Sequence, residues 1–185
     1  DLLEKEPRKL PSLRAVINSG QRSPKAIWTR IRDLMGDVEL TTGYGMSEVT
    51  ATMTLTRIGD PDDRLLNTNG RMRDAGPAGL PELGGKLVRY RVTDPDTGKE
   101  VGSGEVGELQ AKGVCVTPGY YNKPDATREV FTEDGWLRTG DLGRILDDDY
   151  IELVGRTKES YRCGGEQVMP TEVEDVLVTD PAGRL

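Results

Sequence analysis

Residues 38–48 read VELTTGYGMSE, a strand-like run that passes directly into a loop with glycine at 43 and 45. Upstream, residues 13–17, LRAVI, form a second short buried-strand pattern, followed by the loop NSGQR at 18–22. Between the two strands a helix is expected: Ser23 can cap it, Pro24 fits its first turn, Ile27, Ile31, Leu34 and Met35 recur at helical spacing, and Gly36 supplies the stop. Strand, helix, strand is a crossover unit, whose strands run parallel. Both loops therefore leave the carboxyl ends of parallel strands, where open α/β sheets take their ligands.

Past residue 56 the composition turns to Gly, Pro and Asp with short alternating runs, which predict antiparallel strands and turns. Residues 87–92, LVRYRV, alternate cleanly, and the turn DPDTG at 94–98 should return the chain toward ELQA at 108–111, making a hairpin-based sheet or barrel that extends to about Ile151. Residues 129–136 are expected as an exposed connector. From Lys158 a separate unit begins, with TEVEDVL at 171–177 opening a helix.

Composition excludes several function classes. A net charge of -7 argues against non-specific attraction to nucleic acid or anionic lipid. With no histidine in 185 residues, imidazole-based triads and histidine-ligated zinc are absent. Cys115 and Cys163 lie too far apart in sequence to form a metal or redox pair, which suits free thiols in a reducing compartment. No apolar run approaches membrane-spanning length, and the charged start is not a secretory signal, so a cytoplasmic protein is expected.

Three constellations can carry chemistry. Residues 42–48 offer glycines for close backbone approach, an aromatic ring at Tyr44 to stack on a base, a hydroxyl at Ser47 and a carboxylate at Glu48 for Mg2+; alone, the same run is equally a glycine-rich tight turn. WLRTGD at 136–141 places Asp141 after a turn glycine, where it could accept from two hydroxyls or simply cap the turn. GRTKES at 155–160, then GGEQVMPTEVE at 164–174, combines the permanent cation Arg156 with linker-like glycines.

Taken in order, GYGMSE, GYYNKPDAT, DGWLRTGD, GRTKES and GGEQVMPTEVE resemble the adenylate-forming superfamily, in its acyl-CoA synthetase form, over nearly the whole chain. The resemblance implies α/β plus antiparallel β: a partial adenylate-forming fold with a parallel-sheet portion, a distorted β-barrel subdomain and a truncated α+β lid. Its divisions fall at residues 1–58, 59–157 and 158–185. It further implies that Ser19, Gly20 and Gln21 line the adenine, that Tyr44 stacks on it beside Gly43, Gly45 and Met46, and that Ser47 touches the α-phosphate. Glu48 would hold Mg2+, Asp141 and Arg156 would grip the ribose, Lys158 would be the hinge of the lid, and Gly164, Gly165 and Glu166 would enter the site for the thioester step.

The implied ligands are ATP or AMP, Mg2+, a carboxylic acid, and coenzyme A or a carrier protein as acceptor, with no nucleic acid and no membrane span. Residues 16–20 and 49–53 would form part of the acid pocket. The family's phosphate-binding loop and its catalytic lysine have no counterpart here, so an incomplete, by itself inactive, enzyme is expected; a carrier-loading adenylation domain and a non-catalytic nucleotide-binding remnant are the alternatives. Three smaller departures are Asp149, where a glycine is usual, Cys163, where a basic residue is common, and the polar Ser160-Tyr161-Arg162. The absence of upstream strands also predicts an exposed sheet edge that favours self-association.

Overall fold

The computed structural model describes residues 5, 10–19, 25–36, 38–159, 161–164, 166–168, 170, 173, 176 and 177. Strands β1 (Ala15–Ser19) and β2 (Glu39–Gly43) pair in parallel, with Ser19 opposite Gly43. The expected strands thus form one to two residues later than the hydrophobic runs alone suggest. Helix α1 (Lys25–Met35) crosses between them and stops at Gly36, whose φ of 83° is one that a side chain would oppose. Its expected cap, Ser23, and first-turn proline, Pro24, lie outside the described residues. Trp28 anchors the helix at 2 % exposure against Val38, Leu40 and Leu65, while Ile27 faces outward. The outer edge of β1 has no strand partner among the described residues.

After β2 the chain makes a tight hairpin, β3 (Gly45–Met46) with β4 (Ala51–Thr52), around a 3-10 turn at Ser47–Val49. Strand β5 (Thr54–Leu55), helix α2 (Asp62–Asn67) and strand β6 (Arg71–Met72) follow. The free edge of β2 is closed by threonine side chains. Thr42 N–H donates to Thr56 Oγ1 at 2.9 Å and Tyr44 N–H to Thr54 Oγ1 at 2.8 Å, a reason for the threonines at 54 and 56.

The antiparallel region is an open four-stranded sheet in the order β10-β9-β8-β7, built from β7 (Val88–Thr93), β8 (Gly107–Gly113), β9 (Leu137–Ile145) and β10 (Ile151–Arg156). Of the two outcomes expected for this stretch, the sheet is the one found: β7 and β10 lie at opposite edges and do not pair. Asp94 holds the turn after β7 by accepting from the N–H groups of Asp96 and Thr97. Residues 129–136 are only partly the expected exposed connector: helix α3 (Pro124–Val130) ends there, Val130 and Phe131 pack on the core, and Arg91 stacks 4.5 Å from the centre of the Trp136 ring. A last hairpin joins β11 (Tyr161–Cys163) to β12 (Glu166–Val168). The helix expected at 171–177 falls mostly outside the described residues. Among the described residues no helix is long and apolar enough to cross a membrane.

One core lies under the sheet, where Leu109, Leu137 and Ile151 at 0 % exposure meet Val49 and Tyr44 from the β2–β4 region. The other lies beneath α1. Backbone bonds tie the two parts together: Asn69 N–H donates to Ile151 O at 2.7 Å and Ile151 N–H to Gly70 O at 2.9 Å. The Tyr150 hydroxyl adds a bond of 2.7 Å to Asp60.

Two stability predictions arise here. The Tyr90 hydroxyl is buried and has no hydrogen-bond partner among the described residues, and an orphaned buried donor costs about 1–3 kcal/mol. Tyr90→Phe is therefore expected to leave stability unchanged or raise it by about 1 kcal/mol in urea unfolding; a clear loss would show that the hydroxyl is satisfied. Asp149 does adopt the left-handed conformation, at φ 64°, that its replacement of glycine implied, at a backbone cost of about 1–2 kcal/mol. It also pairs at 2.9 Å with Lys86, whose side chain is 11 % exposed. Because a buried ammonium losing its partner outweighs that strain, Asp149→Gly should lower stability by about 1 kcal/mol, a net figure softened by the second carboxylate, Asp74, 3.5 Å from the same nitrogen. A gain in melting temperature would mean the backbone term dominates.

Candidate functional site

An open cleft of about 550 Å³ is lined by Met46, Glu48, Tyr120, Arg138, Arg156 and Lys158, among others, a size that suits a small ligand. The β3–β4 hairpin, through Met46 and Glu48, forms one wall and the ends of β9 and β10 another. Asp141 and Arg156 are opposite each other in the β9–β10 ladder, after a bulge between Leu153 and Gly155, so their side chains share a face. Arg156 Nε donates to Asp141 Oδ1 at 2.9 Å. The Tyr44 hydroxyl, arriving from the far end of β2, donates to Asp141 Oδ2 at 2.7 Å.

One carboxylate thus bridges two donors that lie 97 and 15 residues away in sequence. Its own backbone is held by Thr139, whose Oγ1 accepts the Asp141 N–H at 3.1 Å and donates to Leu109 O at 2.7 Å. Burial, reinforced by the neighbouring Asp141 charge, pushes the Tyr44 hydroxyl well above the ordinary phenol range, so it remains a donor at any physiological pH. Tyr44 is only 6 % exposed and its ring lies 5.5 Å from that of Tyr90. Little of its face is open to stack on a base in this form.

Glu48 sits in the turn after β3, half-buried, next to the exposed Ser47. The Tyr120 hydroxyl donates to Glu48 Oε1 at 2.9 Å, and that bond, with burial second, raises the phenol pKa. Gly43 and Gly45 are there for close approach: a Cβ on Gly43 would overlap the Thr54 carbonyl, and one on Gly45 the Ala51 carbonyl. Lys158 follows β10 and is exposed at the cleft. Ser19 ends β1 opposite Gly43, and Gly164, at φ 63°, is at the tip of the β11–β12 hairpin; neither lines the cleft. Gly20, Gln21 and Gly165 lie outside the described residues.

The structure therefore brings together Met46, Glu48, Arg156 and Lys158 in one cleft, with Tyr44 and Asp141 immediately behind. Sequence reasoning missed Tyr120, although it quoted the motif containing it, and the pair Arg138–Glu108, joined at 3.1 Å with the Glu108 side chain 10 % exposed. Alternation in β8 puts Glu108 on the polar side with Gln110 and Lys112, and no local pattern shows that both sides of residues 107–111 are buried.

A sheet-borne carboxylate is thus bridged by a tyrosine and an arginine, beside a glycine-rich turn that carries a glutamate. The chain belongs to the AMP-binding enzyme family, whose match covers residues 1–121. It is 36 % identical over 173 residues, 94 % of its length, to the putative acyl-CoA synthetase YngI of Bacillus subtilis, and covers 29 % of that protein. To pyochelin synthase PchD of Pseudomonas aeruginosa it is 34 % identical, over 98 % of this chain and 30 % of the relative. Among solved structures, O-succinylbenzoate coenzyme A synthetase MenE of Bacillus subtilis, in complex with ATP and magnesium ion, superposes with a TM-score of 0.76 at 25 % identity, over 98 % of this chain and 34 % of that one. The chain thus spans about a third of the length of these relatives.

Proposed function

We propose that the protein to which this chain belongs is an acid–CoA ligase. It would condense a carboxylic acid with ATP to an acyl-adenylate and pyrophosphate, then transfer the acyl group to the thiol of coenzyme A, releasing AMP. The observation that carries this reading is the Tyr44–Asp141–Arg156 bridge, whose Arg156 lines the same cleft as Glu48. Asp141 would accept from the ribose hydroxyls, and Arg156, anchored by Asp141, would donate its remaining N–H groups to the sugar or phosphate oxygens. The Ser47 hydroxyl would contact the α-phosphate.

For the metal, the donor set fits a nucleotide-borne ion. Among the described residues no group of three or more acidic, histidine or cysteine side chains exists that could hold an ion alone. Mg2+ commonly takes one or two carboxylates and completes its shell with phosphate oxygens and water. Glu48 would supply that carboxylate, and the bound ion would neutralise charge developing on the phosphate. Lys158 would be the pivot about which a following lid turns between the two half-reactions.

A carrier protein as the acceptor is a second reading, favoured by the similarity to pyochelin synthase PchD. Coenzyme A and a phosphopantetheinyl carrier, offered separately to the parent enzyme, distinguish the two. For the chain alone, the absence of a recognisable phosphate loop and catalytic lysine predicts no carboxylate-dependent ATP–pyrophosphate exchange with fatty, aromatic or amino acids. Exchange well above that of a Glu48→Ala variant would show that the chain holds a complete adenylation site.

A further inference from the structure

The motif GYYNKPDAT, residues 119–127, has no role in the mechanism above, yet its loop grips the turn that carries Glu48 at three points. Thr117 N–H donates to the Glu48 carbonyl at 2.7 Å. Thr50 Oγ1 donates to the Cys115 carbonyl at 2.9 Å, and the Tyr120 hydroxyl to the Glu48 carboxylate at 2.9 Å. The gripped turn is strained: Thr50 and Ala51 both adopt left-handed conformations, at φ 60° and 70°. Such residues persist only where their surroundings over-determine them, and they gather at functional sites.

The gripping loop is itself fixed. Thr127 Oγ1, on α3, accepts the Tyr120 N–H at 2.9 Å and donates to the Lys123 carbonyl at 2.9 Å. Gly119, at φ 144°, comes so close to Thr127 that a Cβ would collide with its side chain. Tyr120 is thus aimed at Glu48 by a helix and a glycine contact, whereas the adjacent Tyr121 is 90 % exposed.

We propose that Tyr120 is a positioning residue for the Glu48 carboxylate: its hydroxyl takes one oxygen, fixes the rotamer, and leaves the other oxygen facing the cleft for a nucleotide-bound divalent cation. The inference rests on the reading of Glu48 as the metal-holding carboxylate. Hydrogen bonds that orient a metal ligand are typically worth tenfold to a hundredfold in affinity, so roughly that range is at stake here.

The test titrates Mn2+ into the chain at millimolar ATP, with free Mn2+ read by its EPR signal, for the unsubstituted chain, Tyr120→Phe and Tyr121→Phe. Tyr120→Phe is expected to weaken Mn2+ binding at least about tenfold with the thermal melt little moved, and Tyr121→Phe to leave both alone. Unchanged affinity in Tyr120→Phe overturns the proposal. Should that variant lose its cooperative melt, Thr127→Val, which keeps the phenol but removes its backbone anchor, is expected to weaken binding in the same direction, and unchanged affinity there overturns it equally. An unsubstituted chain that binds no more Mn2+ than Glu48→Gln contradicts the metal-carboxylate reading itself, a different result from any of these.

Discussion

Asp141→Ala should both loosen the fold and abolish most nucleotide affinity. Removing the carboxylate leaves the Tyr44 hydroxyl buried without the acceptor it reaches at 2.7 Å, a penalty of about 1–3 kcal/mol. It also removes the acceptor proposed for the ribose, and hydrogen bonds to a charged group are worth about 1.5–3 kcal/mol, or roughly a tenfold to a hundredfold loss in AMP affinity. Asp141→Asn separates the two effects, since its amide oxygen can still accept from Tyr44. Stability should largely return in that variant while AMP binding, measured by calorimetry, stays weak. If Asp141→Ala binds AMP as tightly as the unsubstituted chain, Asp141 is a structural bridge only.

Gly45→Ala is expected to be the most damaging single methyl group in the chain. The added Cβ would fall on the Ala51 carbonyl, backbone across a two-residue ladder, so no side chain can turn aside to make room. Overpacking of this kind costs about 3 kcal/mol, or roughly a 10 °C fall in melting temperature for a chain of this size. The same hairpin presents Ser47 and Glu48, so cation-dependent nucleotide binding should fall with it. A melt within about two degrees of the unsubstituted chain would mean that the hairpin opens without cost and that Gly45 is not there for close approach.

The parallel unit was legible in the sequence because its signals are local: an alternating or apolar run, a glycine stop at Gly36 and right-handed crossover geometry specify β1, α1 and β2. The helix face was less so. Ile27 satisfies the period but is 40 % exposed, while Trp28, three and seven residues before Ile31 and Met35, is the one buried with them against Val38 and Leu40. The hairpin of β7 and β8 was readable from alternation and the Asp94 turn. That the region stays an open sheet was not, since closure depends on edges that single-strand patterns do not describe.

The site divides the same way. Ser47, Glu48, Asp141 and Arg156 stand out by residue type and motif, and the ladder pairing of Asp141 with Arg156 follows once β9 and β10 are strands joined by a short turn. The bond from Tyr44 to Asp141 and that from Tyr120 to Glu48 span 97 and 72 residues and depend on how the hairpin packs over the sheet. No local pattern encodes such contacts. The burial of Tyr44 is the clearest instance: its motif suggests a free ring, and the fold encloses it.

Whether this chain carries the adenosine-binding part of the proposed acid–CoA ligase is decided by comparing AMP with 2′,3′-dideoxy-AMP in calorimetric titrations of the purified chain. The account predicts saturable AMP binding that weakens at least about tenfold when the ribose hydroxyls are absent, because Asp141 loses the donors it accepts from. Equal binding of the two nucleotides, or none of AMP, would contradict it.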